Sequence, residues 1–97
     1  MFAVIFKAKV KHLDQAYIDT AKRMRDRALN EFNCVDFIAA CEGDQEIAIS
    51  YWQSEADIAA WRNDSEHQLA QQHGKRDWYS SYEVEVVELR RQYTSKG

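Results

Sequence analysis

Apolar and polar residues follow one another along the first third of the chain in patterns that predict a strand and then a helix. Residues 3–11 begin as an apolar run and then alternate with lysines, which is typical of a strand that is half-buried towards its end. Asp14 is placed to cap a helix over residues 14–32. The apolar positions of this helix recur at helical spacing and are Tyr17, Ala21, Met24, Ala28 and Phe32.

Two β-rich segments follow and predict a hairpin. They cover residues 34–42 and 46–53 and are separated by Gly43-Asp44-Gln45, a short turn whose glycine is able to adopt positive φ. The last strand is predicted over residues 82–90, where valines alternate with glutamates.

The segment between the hairpin and the last strand has the pattern of a helix. It covers residues 55–73, with Ser54 at the start of a capping sequence and Gly74 where a helix C-cap is expected. Residues 63–65, Asn-Asp-Ser, interrupt the apolar pattern with residue types that prefer caps and turns. We therefore expect a kink or a restarted helix at this point.

The element order βαββαβ is that of the split-βαβ, ferredoxin-like fold. We predict an α+β protein, a single domain over residues 1–97 with a four-stranded antiparallel sheet and both helices on one face. Apolar residues fall in both phases of the strands, with Val4 and Phe6 in one phase and Ile5, Ile38 and Val87 in the other. Because two helices cover only one face, we expect the other face to pack against the sheet of a second copy, forming a homodimer.

Composition and charge narrow the class of protein. The 97 residues carry 13 Lys and Arg against 16 Asp and Glu, a formal net charge of −3, which does not favour nucleic acid as a partner. Pro is absent and Gly occurs three times, so neither a linker nor a glycine-rich phosphate loop is expected. The apolar stretch at residues 2–6 is too short for a membrane span and lacks the features of a secretory signal. We expect a cytoplasmic protein with no membrane partner.

Cys34 and Cys41 fall in one predicted strand. An unbulged strand points them to opposite faces, ~23 Å apart along its length, which is too far for a disulfide. Two thiols without a second Cys or His cluster also make a poor zinc site, so no metal site is expected. We interpret both cysteines as reduced residues that fill small spaces in the core.

Three short segments in the second half of the chain have the features of a known family. One strand ends in Ser-Tyr-Trp at residues 50–52, Ala-Trp follows at residues 60–61, and residues 67–76 read His-x-x-Ala-Gln-x-x-Gly-Lys-Arg. With these segments the chain resembles the antibiotic biosynthesis monooxygenase (ABM) domain family. The resemblance covers nearly the whole chain and is strongest over residues 46–93.

The resemblance implies a dimeric α/β barrel, in which two ferredoxin-like sheets lie back to back and each subunit has a pocket between sheet and helices. Family members of known activity oxidise small aromatic molecules such as anthrones and quinols with O2, without flavin or metal. A separate branch degrades heme and carries an asparagine and a histidine where this chain has Lys7 and Gln71. Both departures count against heme degradation, although His73, two residues beyond the ligand position, keeps heme binding as a third reading.

Trp61, His67 and His73 are the candidate catalytic residues. Trp61 matches the helix tryptophan that lines the family's pocket, although its place in the helical stripe fits a core anchor equally well. Histidine titrates near neutral pH, as a base that removes a phenolic or benzylic proton requires, so both histidines are candidates. On an unbroken helix His73 lies near the edge of the Trp61 stripe and His67 points away, whereas His67 occupies the family's recurrent histidine position.

Aromatic residues near these positions are candidates for stacking on a flat substrate. They are Tyr51, Trp52, Phe37 and Trp78. Tyr51 and Trp52 are adjacent in a strand, so one faces the helices and the other the dimer interface, and the pattern leaves open which. Arg76 is a candidate for holding an anionic substrate or, as is more common, a carboxylate across the dimer.

The function predicted from the sequence is that of a cofactor-independent monooxygenase that oxidises a small aromatic, quinol-like substrate with O2. The alternative is a non-catalytic small-ligand-binding or dimerisation module of the same fold. RNA-recognition domains share the element order, but this chain lacks their Lys/Arg-Gly-aromatic string. The basic residues of the first helix alternate with acidic ones and predict a solvated face; they are Lys22, Arg23, Arg25 and Arg27.

Overall fold

The computed structural model describes residues 1–96, which form four strands and three α-helices. The elements are β1 (Phe2–Val10), α1 (Gln15–Glu31), β2 (Asp36–Glu42), β3 (Gln45–Trp52), α2 (Glu55–Arg62), α3 (Ser65–His73), a π-helical turn (Gly74–Trp78) and β4 (Tyr79–Glu88). The strands form one antiparallel sheet in the order β2-β3-β1-β4. The predicted α+β, ferredoxin-like fold is therefore confirmed.

Local side-chain caps begin α1 and α2 where the sequence predicts them. Asp14 accepts a hydrogen bond from the backbone N–H of Tyr17 at 2.8 Å, and Ser54 accepts one from that of Asp57 at 3.1 Å. The buried side chains of α1 are Tyr17, Met24 and Ala28. Ala21, expected on the same stripe, is exposed.

The second helical region is interrupted between α2 and α3, as the sequence predicts. Gly74 is the C-cap of α3, as expected, but its φ is −60° and the chain continues from it into the π-helical turn. A Cβ at Gly74 would lie 2.7 Å from the ring of Tyr79, so a glycine at this cap position permits the close packing of that ring. The turn leads directly into β4, which begins at Tyr79, three residues earlier than expected.

Strand pairing determines which side chains share each face of the sheet. Trp52 pairs with Phe2, and Val4 pairs with both Ser50 and Val86, so these residues lie on the face covered by the helices. Trp52 is fully buried there, in a core cluster completed by Val4, Ala28, Cys34 and Ile58. Tyr51 pairs with Ala3 on the opposite, open face. The sheet therefore separates Tyr51 from Trp52.

The two cysteines differ from the expectation that both fill the core. Cys34 precedes β2 and is buried, because the chain turns at Asn33, with φ of 65°, and Cys34 N–H donates to Ala28 O at 3.0 Å. Cys41 is exposed, and the prediction that it fills the core is wrong. Beyond Phe37 the remaining side chains of β2 are exposed, so this edge of the sheet offers no core to fill.

The helices of residues 1–96 are short and carry many charged side chains. None of them is long and apolar enough to cross a membrane. The cytoplasmic location expected from the sequence stays a prediction, since nothing in the fold tests it.

Candidate active site

The start of α3 places His67 against Trp61 of α2. On an unbroken helix, side chains six residues apart point in directions that differ by about 120° around the helix axis. The interruption restarts the helix at Asp64, whose carboxylate accepts a hydrogen bond from the backbone N–H of His67 at 3.2 Å. The rings of Trp61 and His67 are consequently 4.2 Å apart between centroids. We call these two side chains the Trp61–His67 pair.

The Trp61–His67 pair rests on an aromatic floor. The ring of Trp61 lies 5.3 Å from that of Trp52 and 6.3 Å, edge to face, from that of Phe37. Trp52 is fully buried and its Nε1–H donates to Ser50 Oγ at 2.8 Å. The floor is therefore apolar, and its polar Nε1 atom is already paired.

The polar atoms of the Trp61–His67 pair itself have no such partners. Trp61 Nε1 and His67 Nδ1 are both buried and form no hydrogen bond within residues 1–96. A buried polar atom without a partner costs about 1–3 kcal/mol, which is why nearly all such atoms in folded proteins are paired. A polar atom of a bound molecule that reaches either nitrogen from the side of the rings would supply a missing partner.

Burial determines the protonation of His67. Desolvation lowers the pKa of His67 below its ordinary value of 6.5, while the backbone carbonyl of Arg62 and the charge of Asp64 oppose this shift. The imidazole is therefore neutral at pH 7, the form that accepts a proton.

His73 belongs to a different cluster. Its ring stacks on Trp78 with centroids 4.1 Å apart, and its Nε2 lies 2.8 Å from Asp77 Oδ2. Arg76 is exposed and binds the same Asp77 oxygen at 3.0 Å, and this hydrogen bond lowers the pKa of Asp77. Trp78 is buried against Tyr17, with ring centroids 5.2 Å apart. These side chains are held by one another at the end of α3.

The structure thus brings together four of the eight residues that the sequence singles out. Those that meet are Trp61, His67, Trp52 and Phe37. His73 stacks on Trp78 and shares Asp77 with Arg76, and Tyr51 lies on the open face. Tyr51 therefore does not contribute to a pocket beneath the helices, because the sheet lies between its side chain and the helices.

Arg27, which the sequence analysis assigned to a solvated helix face, links α1 to the start of α3. Its Nη2 donates to Asp64 Oδ1 at 2.7 Å, and its other guanidinium nitrogens lie 2.9 Å from Glu31 and Glu66. Asp64 is also the cap that holds His67, so Arg27 is a positioning residue for the Trp61–His67 pair. Spacing along α1 reveals the Glu31 contact only, because Asp64 and Glu66 meet Arg27 through the tertiary fold.

An open groove of about 690 Å³ lies beside α2 and α3. It is lined by Ile58, Arg62, Gln68, Gln71, Gln72, Lys75 and Val86 among others. Its volume falls within the range of small-molecule sites, and Ile58 also belongs to the core cluster that packs against Trp61. No sequence pattern distinguishes these glutamines, because amide side chains on a helix are ordinary surface residues.

The positions of possible metal ligands and of Gln71 and Lys7 bear on whether the protein holds a metal or heme. Within residues 1–96, no group of three His, Cys, Asp or Glu side chains is arranged to hold a metal ion. Gln71 lines the groove, at the position where the heme-degrading branch carries its histidine. Lys7 points to the open face and forms ion pairs with Glu83 at 3.2 Å and Glu85 at 2.8 Å.

Known proteins resemble this chain in sequence and in structure. The uncharacterized protein YqjZ of Bacillus subtilis is 38% identical over 93 residues, covering 94% of this chain and 81% of YqjZ. No protein-family model matches the chain.

Solved structures reproduce the fold at low sequence identity. SnoaB, a cofactor-independent oxygenase from Streptomyces nogalater, superposes with a TM-score of 0.80 at 10% identity, covering 97% of each chain. A protein described as an antibiotic biosynthesis monooxygenase gives 0.79 at 10% identity, covering 94% of this chain and 100% of its own. The chain therefore belongs to the same family as YqjZ and has the fold of the antibiotic biosynthesis monooxygenases.

Proposed function

We propose that this protein is a cofactor-independent monooxygenase that oxidises a small aromatic, quinol-like molecule with O2. The observation that carries the proposal is the Trp61–His67 pair, whose rings lie 4.2 Å apart and whose buried Nε1 and Nδ1 atoms form no hydrogen bond within residues 1–96. SnoaB, described as a cofactor-independent oxygenase, has the same fold and supports the proposal by analogy.

In the proposed reaction the protein supplies a base and a water-poor environment. The neutral imidazole of His67 takes a phenolic or benzylic proton, and the resulting anion is a better one-electron donor to O2 than the neutral substrate. Electron transfer and radical recombination form a carbon–oxygen bond. The hydroperoxide then loses water, so that CH2 and O2 become C=O and H2O without an added reductant.

The surroundings of the pair fit this chemistry. The floor formed by Trp52 and Phe37 is apolar, which favours a flat aromatic substrate and excludes water. The groove beside α3 is the proposed entrance, and its amide side chains offer hydrogen bonds to the polar end of a quinol. Arg27 holds α3 in place through Asp64.

The proposal includes a homodimer that pairs the open faces of two sheets. The open face exposes 53% of Ile38, 40% of Ile47 and 39% of Val87. An apolar patch of this kind on a sheet is typical of an interface between copies. Tyr51 then belongs to the interface.

Oxygen uptake by the purified protein tests the activity. A panel of quinols and anthrones is supplied in the presence of a chelator, after absorbance has excluded a bound flavin. We expect uptake above the buffer rate, with a loss of about 100-fold or more in His67→Gln, because a general base contributes about that much. Trp61→Phe, which removes only the Nε1 donor and part of the ring, should also lower the rate.

His73→Gln is the matched control, because His73 contacts Asp77 and Trp78 and not the Trp61–His67 pair. It should retain the activity of the unchanged protein. Loss of activity in His73→Gln with an active His67→Gln would show that the base is misassigned. No uptake with any compound by a folded protein would contradict the oxygenase and favour the ligand-binding module.

A further inference from the structure

A buried carboxylate lies on the helix-covered face of the sheet, away from the Trp61–His67 pair. Glu46 of β3 is only 8% exposed, and its Oε2 has no hydrogen-bond partner within residues 1–96. Burial raises the pKa of Glu46, and no basic side chain offsets this effect. Glu46 is four positions before Ser50, the hydrogen-bond partner of Trp52, which is a distance of about 13 Å along β3.

Three aromatic rings meet on the same face of the sheet. The ring of Phe6 lies 5.4 Å from that of Tyr79 and 5.7 Å from that of Tyr82, and the two tyrosine rings are 6.0 Å apart. The rings are inclined to one another by 31° to 61°, and all three side chains are half-buried. We call this group the Phe6–Tyr79–Tyr82 cluster.

A register shift in the sheet creates the cluster. Tyr79 and Tyr82 are three residues apart, so a regular strand would point them to opposite faces. The pairing of β1 with β4 shifts between Lys9 and Val10, so that Val10 pairs with Tyr79 while Ala8 pairs with Tyr82. Bulges of this type redirect a side chain and are common beside functional sites.

The cluster and the carboxylate are neighbours. Ala8 pairs with Glu46 on one side and with Tyr82 on the other, so these two residues flank a small side chain on the same face of the sheet. Burial, together with the nearby Glu46 charge, raises the pKa of Tyr79. The ammonium group of Lys75 already lies over the Tyr82 ring, 5.9 Å from its centroid.

We propose that Glu46 and the Phe6–Tyr79–Tyr82 cluster form a binding site for a small methylated ammonium ion, distinct from the proposed oxygenase site. A buried carboxylate without a cation is costly, and the faces of aromatic rings attract cations. An ammonium ion placed among the three rings satisfies both: its charge pairs with Glu46 and its methyl groups pack on the rings. This site does not depend on the oxygenase activity.

Calorimetric titration of the full chain with choline tests the proposal. The uncharged isostere 3,3-dimethylbutanol has the same shape and isolates the contribution of charge. We expect saturable binding of choline, at least tenfold weaker binding of the isostere, and a loss of at least tenfold in choline affinity in Glu46→Gln. Glu42→Gln, which changes an exposed carboxylate of the same hairpin, is the matched control and should bind like the unchanged protein.

Tyr82→Leu provides a second test that leaves the carboxylate in place, and it should also weaken choline binding at least tenfold. Circular dichroism checks that each variant is folded. The proposal is overturned if choline shows no saturable binding, if the isostere binds equally well, or if both Glu46→Gln and Tyr82→Leu bind choline like the unchanged protein.

Discussion

Replacing Arg27 by methionine tests whether the ion pairs around Asp64 hold α3 against α1. Methionine keeps the apolar stem of the side chain and removes the guanidinium. The side chains of Arg27 and Asp64 are only 26% and 15% exposed, and the nitrogen and oxygen are 2.7 Å apart. Asp64 would therefore keep its cap hydrogen bond to His67 but lose its charged partner.

The expected loss of stability is the sum of unequal contributions. A hydrogen bond to a charged group, as between Arg27 and Asp64, contributes about 1.5–3 kcal/mol. The contacts to Glu31 and Glu66 involve more exposed carboxylates and contribute about 0.3–0.5 kcal/mol each. We expect a loss of about 2–4 kcal/mol, which lowers the urea midpoint by about 2–4 M for an m-value near 1 kcal/mol/M.

Lys22→Met is the matched control on the same helix. Lys22 pairs with Asp26 at 2.8 Å, but the two side chains are 76% and 49% exposed. Its removal should cost no more than about 0.5 kcal/mol. Urea unfolding of both variants at one protein concentration provides the comparison, because a dimer's stability depends on concentration. Equal losses in the two variants would refute the special role of Arg27.

The pKa of His67, measured by NMR from its C2–H resonance as the pH is varied, reports whether α3 stays docked. If Arg27 holds α3 down, its loss exposes His67 and the pKa of that imidazole rises towards its ordinary value. A destabilised Arg27→Met variant in which the His67 pKa stays lowered would show that α3 remains docked without Arg27.

Three further predictions concern the buried groups His67 and Glu46 and the exposed face of the sheet. Because desolvation lowers the His67 pKa, kcat/KM should fall on the acid side only below about pH 6.5, and a pH–rate profile with its acid limb above that value would contradict the assignment. Burial raises the Glu46 pKa above that of the unfolded chain, so folding binds protons and this carboxyl costs stability as pH rises above about 4.5. In urea titrations, the stability of Glu46→Gln relative to the unchanged protein should therefore increase as the pH rises from about 4.5 towards the raised pKa of the folded state, and a difference that is the same below and above pH 4.5 would oppose this reading. Ile47→Lys on the open face should yield monomers by sedimentation at micromolar concentration while Ile18→Lys on α1 does not, and an unchanged dimer in Ile47→Lys would exclude this face as the interface.

Local patterns were sufficient to predict the elements and their order. Period-two and helical spacing depend on neighbouring residues alone, and so do the caps at Asp14 and Ser54 and the positive φ of Gly43. The predictions failed where distant residues intervene. Cys41, for example, is exposed because the helices leave the end of β2 uncovered.

The Trp61–His67 pair and the aromatic side chains beneath it were likewise visible in the sequence as residue types, but so were four candidates that lie elsewhere. Trp61 and His67 were identified by residue type and resemblance, whereas their contact depends on the angle at which α3 restarts after Asn63. The choice of Trp52 over Tyr51 for the helix-covered face depends on strand register.

The sequence by itself therefore determined the elements, the fold class and the candidate residue types, because these follow from interactions between residues close in the chain. Only the tertiary structure decided that Arg27 reaches Asp64, and that a register shift groups Tyr79 and Tyr82 near Glu46. Each of these contacts joins residues from different elements. Their geometry is set by sheet register and helix docking, which no local pattern encodes.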